Sequence, residues 1–169
     1  MAGAPLLATP TDLSQSGVKA IAGALNGLAA EAFALYLKTK NFHWRMSGPH
    51  FRDYHLMLDE QGDQIYAMID PLASRVRKLG QTTLRSIGHI GQLRSIKDND
   101  EAFVPPGAMP TELQKDNAGM TAAMRKVHEL CDDDGDVASA SLLEVWIDET
   151  ERRAWFLFDA ARGADQTGH

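Results

Sequence analysis

The chain has a single cysteine, Cys131, and no lysine or arginine in residues 1–17 or 164–169. One cysteine excludes an intramolecular disulfide and fits a reducing compartment. Cys131 also continues an apolar helical stripe, so it reads as core rather than as a nucleophile. No unbroken apolar run approaches the ~20 residues that span a bilayer. Met1 to Pro10 is apolar but lacks the basic stretch that opens a secretory signal. The expectation is a cytoplasmic protein with no membrane segment. Positive charge is also scarce: 17 basic against 23 acidic side chains leave a net −6. That excludes a broad electrostatic footprint for nucleic acid. Finally, none of the six histidines is preceded at three residues by glutamate. The Glu-x-x-His pair of an in-bundle di-iron centre is therefore missing.

What the chain does have, over 169 residues, is length enough for one domain with a real core. Apolar or small residues recur at alternating steps of three and four in four stretches. The first runs Val18, Ile21, Leu25, Leu28, Ala32, Leu35, Thr39, Phe42. The second runs Phe51, His55, Leu58, Gly62, Ile65, Ile69, Leu72, Val76, Leu79. The third is Leu113, Asn117, Met120, Met124, Val127, Cys131, and the fourth is Ala140, Leu143, Ile147, Thr150, Ala154, Leu157, Ala161. A mean spacing of about 3.5 marks the seams of helices packed at shallow angles. Gly48-Pro49 and Leu79-Gly80 should end the first two helices. Pro110-Thr111-x-x-Gln114 reads as a capping box opening the third, and the run Asp132 to Asp136 separates the third from the fourth. About thirty residues join the second and third helices, far more than a usual connection. Thr82 to Ile96 can hold a short extra helix, while Pro105, Pro106, Gly107 and Pro110 keep the remainder irregular. So long a crossover lets helices two and three run parallel. The expected fold is all-α: a ferritin-like four-helix bundle over 17–163, with short tails at 1–16 and 164–169.

The chemistry concentrates around the first turn. His43 ends the first helix beside Trp44, and His55 and Asp59 lie one turn apart near the start of the second. Imidazole with carboxylate suits a borderline divalent metal such as Fe, Mn or Zn. Asp70 follows Asp59 by eleven residues, on the same side of the helix but ~16 Å further along its axis. One ion cannot take both from one straight helix, whereas a second copy packed antiparallel about a two-fold axis can supply the missing carboxylate. The plainer reading stays open beside this one, with His55 as a hydrogen-bonded structural residue and His43 as helix-end packing. His50, His89, His128 and His169 read as surface or loop residues.

The pattern Lys40-x-x-His43-Trp44-x-x-x-Gly48-Pro49-x-Phe51-x-x-x-His55-x-x-x-Asp59, continued by Asp70-x-x-Ala73-x-Arg75-x-x-x-Leu79-Gly80, resembles the signature of the Dps family. These are the miniferritins that protect DNA in starved cells. The likeness extends more weakly through Asp136 to Leu143 and Glu151 to Leu157. It implies a hollow homododecamer with ferroxidase sites at dimer interfaces, Fe(II) and hydrogen peroxide as substrates, and ferric mineral stored inside. Iron would be the metal, with zinc or manganese as possible substitutes. His43 and His55 would come from one subunit, Asp59 and Asp70 from its partner, and Trp44 would trap stray oxidising equivalents or pack at the interface. Asp132, Asp133, Asp134 and Asp136 would line cation pores, and Glu60 and Asp63 would seed mineral.

Two residues depart from the family pattern. Ser74 stands where a glutamate is usual, and Pro71 disfavours helical geometry at Asp70. Weaker iron binding is expected, with water or Asp63 replacing the lost carboxylate. The alternative is a non-enzymatic cage with a degenerate centre. Without a lysine-rich tail, no DNA binding is expected.

Overall fold

The computed structural model describes residues 7–163 of the chain. The expected tail 164–169 lies outside them, as do the first six residues of the tail 1–16. Five helices follow in order: α1 Gln15–Arg45, α2 Phe51–Lys78, α3 Ile87–Leu93, α4 Ala108–Asp133 and α5 Val137–Ala160. The four long ones form the expected all-α bundle, and α3 is the short helix of the crossover.

Burial follows the stripes. All eight members of the α1 stripe are buried, as are all six of the α4 stripe. On α2 the stripe is buried from Leu58 to Leu79, but Phe51 is exposed and His55 only half-buried. At about 25 cal/mol per Å², each fully buried leucine or isoleucine contributes about 2 kcal/mol. Residues from both ends fix the directions. Arg75 on α2 meets Asp136 and Ser139 at the start of α5, while Tyr54 on α2 donates to Ala160 O at its end, 2.7 Å. Lys38 near the end of α1 pairs with Glu112 and Asp116 in the first turns of α4. Hence α2 and α5 are antiparallel, α1 and α4 are antiparallel, and α2 and α4 run the same way, as a long crossover requires.

The helix ends are chemically specified. Ser14 caps α1, accepting from Gly17 N at 3.0 Å, and Ser86 caps α3, accepting from His89 N at 3.1 Å. Gly80 (φ +78°) and Gly135 (φ +76°) end α2 and α4 in Schellman motifs. Gly80 N donates to Arg77 O and Gln81 N to Val76 O; Gly135 N donates to Asp132 O and Asp136 N to Cys131 O. The capping box is corrected: α4 begins at Ala108 with Gly107 as an N-cap that offers no side chain. Pro110 then lies inside the first turn, where its missing N–H would have had no partner anyway.

Pro71 does not break α2, and the expected departure from helical geometry at Asp70 does not occur. Both residues are helical within Phe51–Lys78, and what Pro71 removes is the N–H that would bond the Ala67 carbonyl. By length and composition α1 could cross a membrane. In the fold it is a core helix, its buried Lys38 pairing with α4 and its buried Glu31 tying down the crossover. Glu31 accepts from Ser95 N, Ser95 Oγ and Ile96 N. Helix α3 itself buries no residue; it lies against α1 with Ile87 83% exposed.

Candidate metal centre

His43 lies five residues before Gly48 and His55 six after Pro49, so the antiparallel packing of α1 on α2 brings them face to face. Their rings stack with centroids 3.7 Å apart and planes at 16°. Phe51 also stacks on His55, with centroids 4.9 Å apart. Each histidine bonds the other's backbone: His43 Nδ1 to His55 O at 2.7 Å, and His55 Nδ1 to His43 O at 2.8 Å. A carbonyl only accepts, so both Nδ1 atoms carry the proton. In the neutral rings the lone pairs are left on Nε2, the tautomer a metal needs, with both rings fixed by second-layer bonds.

Asp59 joins them. Its Oδ1 lies 3.7 Å from His43 Nε2 and 2.6 Å from Lys40 Nζ. The Lys40 hydrogen bond holds the Asp59 carboxyl below the usual carboxylate range, aided by the lysine's charge. The same bond raises the Lys40 ammonium above its ordinary value. Asp59 is thus an ionised, half-exposed donor whose charge is balanced by an ammonium on the preceding helix. Resemblance would give Asp59 to a partner subunit, but within this chain Asp59 already stands beside His43, because α1 and α2 carry the two at one level of the bundle.

Asp70 is not brought to this cluster. It is exposed, and the ~16 Å of helix between it and Asp59 keeps it away within one chain. Ser74 is half-buried one turn beyond it. Trp44 is 65% exposed and, one residue round the helix from His43, lines a cleft of about 750 Å³ with Phe33, Leu37, Ile87 and Ile90. Among the described residues, no three His, Cys, Asp or Glu side chains of one chain come close enough to hold an ion. The cluster is thus two imidazoles with their Nδ1 atoms occupied and one carboxylate held by Lys40, short of a complete donor set among the described residues.

The acidic run resolves unevenly. Asp136 is 3% exposed and committed elsewhere. It caps α5 through Ser139 N at 3.1 Å, accepts from Ser139 Oγ at 2.5 Å and pairs with Arg75 at 2.8 Å. It is therefore unavailable to a pore, whereas Asp132 and Asp133 are exposed. Glu60 and Asp63 are exposed on α2. His50 is exposed and tilts against the Tyr54 ring, and half-buried His128 lies between Asp132 and Glu144; His169 lies outside the described residues.

Sequence reading missed two features. Lys40 was part of the recognised pattern, and its offset of three from His43 was the available signal for its place at the cluster. Arg153, 1% exposed inside the bundle, gave none, because it falls between members of the fourth stripe.

A ferritin-like domain model matches residues 22–162. An uncharacterised low temperature-induced protein of Nostoc sp. is 30% identical over 148 residues, covering 87% of this chain and 81% of its own. The DNA protection during starvation protein of Halobacterium salinarum is 33% identical over 131 residues, with 76% and 70% covered. The Dps structure of Mycobacterium smegmatis superposes with a TM-score of 0.86 at 27% identity, covering 93% and 96%. Helix order, crossover and sequence relatives together make the chain a member of the Dps family of ferritin-like proteins.

Proposed function

We propose that this chain is an iron-storing miniferritin that binds Fe(II) at subunit interfaces, oxidises it and holds the ferric product inside a cage of its own copies. The observation that carries the reading is the open half-site. Two stacked imidazoles are locked with Nε2 free, beside an ionised Asp59, and Asp70 is stranded about 16 Å along the same helix. A two-fold axis across that edge brings the Asp70 of a second copy towards the first copy's histidines. Mixed nitrogen and carboxylate donors suit Fe(II), and also zinc or manganese as competitors.

Iron here is substrate. Lys40 and Asp59 form an ion pair that a divalent cation can exchange into, the ammonium leaving as the metal's charge arrives. His43 and His55 contribute lone pairs without losing a proton, since each Nδ1–H stays on a backbone carbonyl. With peroxide as oxidant, two Fe(II) each give one electron. The O–O bond takes both and, with two protons, leaves as two waters, so no hydroxyl radical is released. Trp44, outside the donor cluster, serves as interface packing on its cleft or as a sink for a stray oxidising equivalent.

A second reading is favoured by one residue. Ser74 offers a neutral hydroxyl where a carboxylate would strengthen the site, so the cage would protect without fast oxidation. Adding Fe(II) anaerobically and then peroxide separates the two. The first reading expects stoichiometric oxidation and a soluble iron-loaded assembly, lost in His43→Ala and Asp59→Ala. Oxidation at the protein-free rate with an intact cage supports the second reading. Light scattering should give about twelvefold the 18.5 kDa chain mass.

A further inference from the structure

The bundle interior holds a cation with no carboxylate partner among the described residues. Arg153 of α5 is 1% exposed, and its hydrogen bonds all go to uncharged acceptors. Nε donates to Asn117 Oδ1 at 3.0 Å, and Nη2 donates to Thr150 Oγ1 at 2.7 Å and reaches Met68 Sδ at 3.8 Å. Its Nη1 is buried with no partner, and so is the Nε2 of Gln61 on α2, a residue 3% exposed. Burial brings the guanidinium down to about 10, still well above neutral pH, so the charge is present. No carboxylate among the described residues forms an ion pair with it; the nearest acid influence is Glu149, one turn back on α5.

Arg153 and Gln61, the two residues that carry these orphan amino groups, line the same small void between α2 and α5. It offers about 10 Å³, which is room for a single non-hydrogen atom. Phosphate, sulfate and carboxylates are therefore too large. Met57 and Phe156 supply apolar wall. The charged lining is Arg153, Arg152 and Glu60, a net single positive charge, and Glu60 is engaged by Gln64 Nε2 at 3.4 Å. A water there could accept from both donors but would leave the charge uncompensated, and buried unpaired charge is among the most destabilising features a core can hold.

We propose that this void is a halide site, in which one chloride or bromide ion accepts from Arg153 Nη1 and Gln61 Nε2 inside the bundle. It is independent of the iron reading, since it involves neither His43 nor Asp59. The ion completes a polar cluster made by α2, α4 and α5, the helices contributing Gln61, Asn117, Thr150 and Arg153. A fixed guanidinium at this depth also repels any metal from the bundle interior.

The test uses the intact protein. A crystal soaked in sodium bromide should give an anomalous peak within hydrogen-bond distance of Arg153 Nη1 and Gln61 Nε2. Ordered water at that place, with bromide found only on the surface, overturns the proposal. In solution, replacing sodium gluconate by sodium bromide at equal ionic strength should raise the Tm by roughly 3 °C. Gln61→Leu, which removes one donor and fills space, should abolish most of that rise while keeping the fold. An equal rise in both proteins would mean a general salt effect and overturn the site.

Discussion

At the scale of single residues, the centre is governed by who holds which proton. Each ring is held by the other residue's backbone carbonyl, which alanine keeps, so removing one imidazole leaves its neighbour oriented and takes away only its stacking partner. Because the two rings touch and on the proposed site serve one ion, the losses in Zn(II) affinity for His43→Ala and His55→Ala should be non-additive in the double variant, as titration calorimetry would measure. Lys40 acts in the opposite sense. It lowers the Asp59 carboxyl, so the carboxylate stays charged and able to bind metal until pH falls below the ordinary carboxylate range. It also competes for that same oxygen. Lys40→Met should tighten Zn(II) binding by about tenfold near neutral pH; unchanged affinity would show that the ammonium is no competitor. Ser74→Glu, restoring the family's carboxylate, should tighten Fe(II) binding and speed peroxide-dependent oxidation. Cys131 gives a plainer expectation. Burial pushes its thiol up to about 12, so the reactive thiolate is absent at pH 8 and labelling by iodoacetamide should need global unfolding.

At the scale of helices, much was legible because the signals are local. The α1 and α4 stripes identified their buried faces residue by residue, and Leu79-Gly80 marked its terminus because only glycine enters the left-handed region without strain. A Cβ at Gly80 would also strike the Thr9 carbonyl at 2.7 Å. The α4 start was misread since Pro110 and Thr111 look the same as a cap or as a first turn. The acidic run was misread in part because one sequence pattern hides two fates, exposed Asp132 and buried Asp136. That difference is measurable. Asp136→Ala removes the α5 cap and strands the Arg75 charge, and should cost about 3 kcal/mol in denaturant unfolding. Pro71→Ala should act the other way: restoring a bond to the Ala67 carbonyl in a continuous helix should stabilise by about 1–3 kcal/mol.

At the scale of the whole molecule, topology followed from one length, the ~30-residue crossover, because a connection that long releases α2 and α4 from antiparallel pairing. The cluster of His43, His55 and Asp59 was legible from spacing about a single turn. What spacing could not give was the pairing of distant side chains: Lys38 with Glu112, Glu31 with the crossover backbone, Arg153 with Asn117. Each joins residues at least 36 positions apart in sequence, and helical periodicity carries no information over that range.

Helix α3 has a consequence of its own. Seven residues are too few to hold a helix in water by themselves, and α3 fully buries none of its side chains, with His89 and Ile90 only half-buried. In the proposed cage, contacts with a neighbouring copy would add to the Ser86 cap and the flank of α1. Its backbone amides would then be a gauge of association: slower to exchange deuterium in the proposed assembly than in separated copies, while the amides of α1 and α4 stay protected in both.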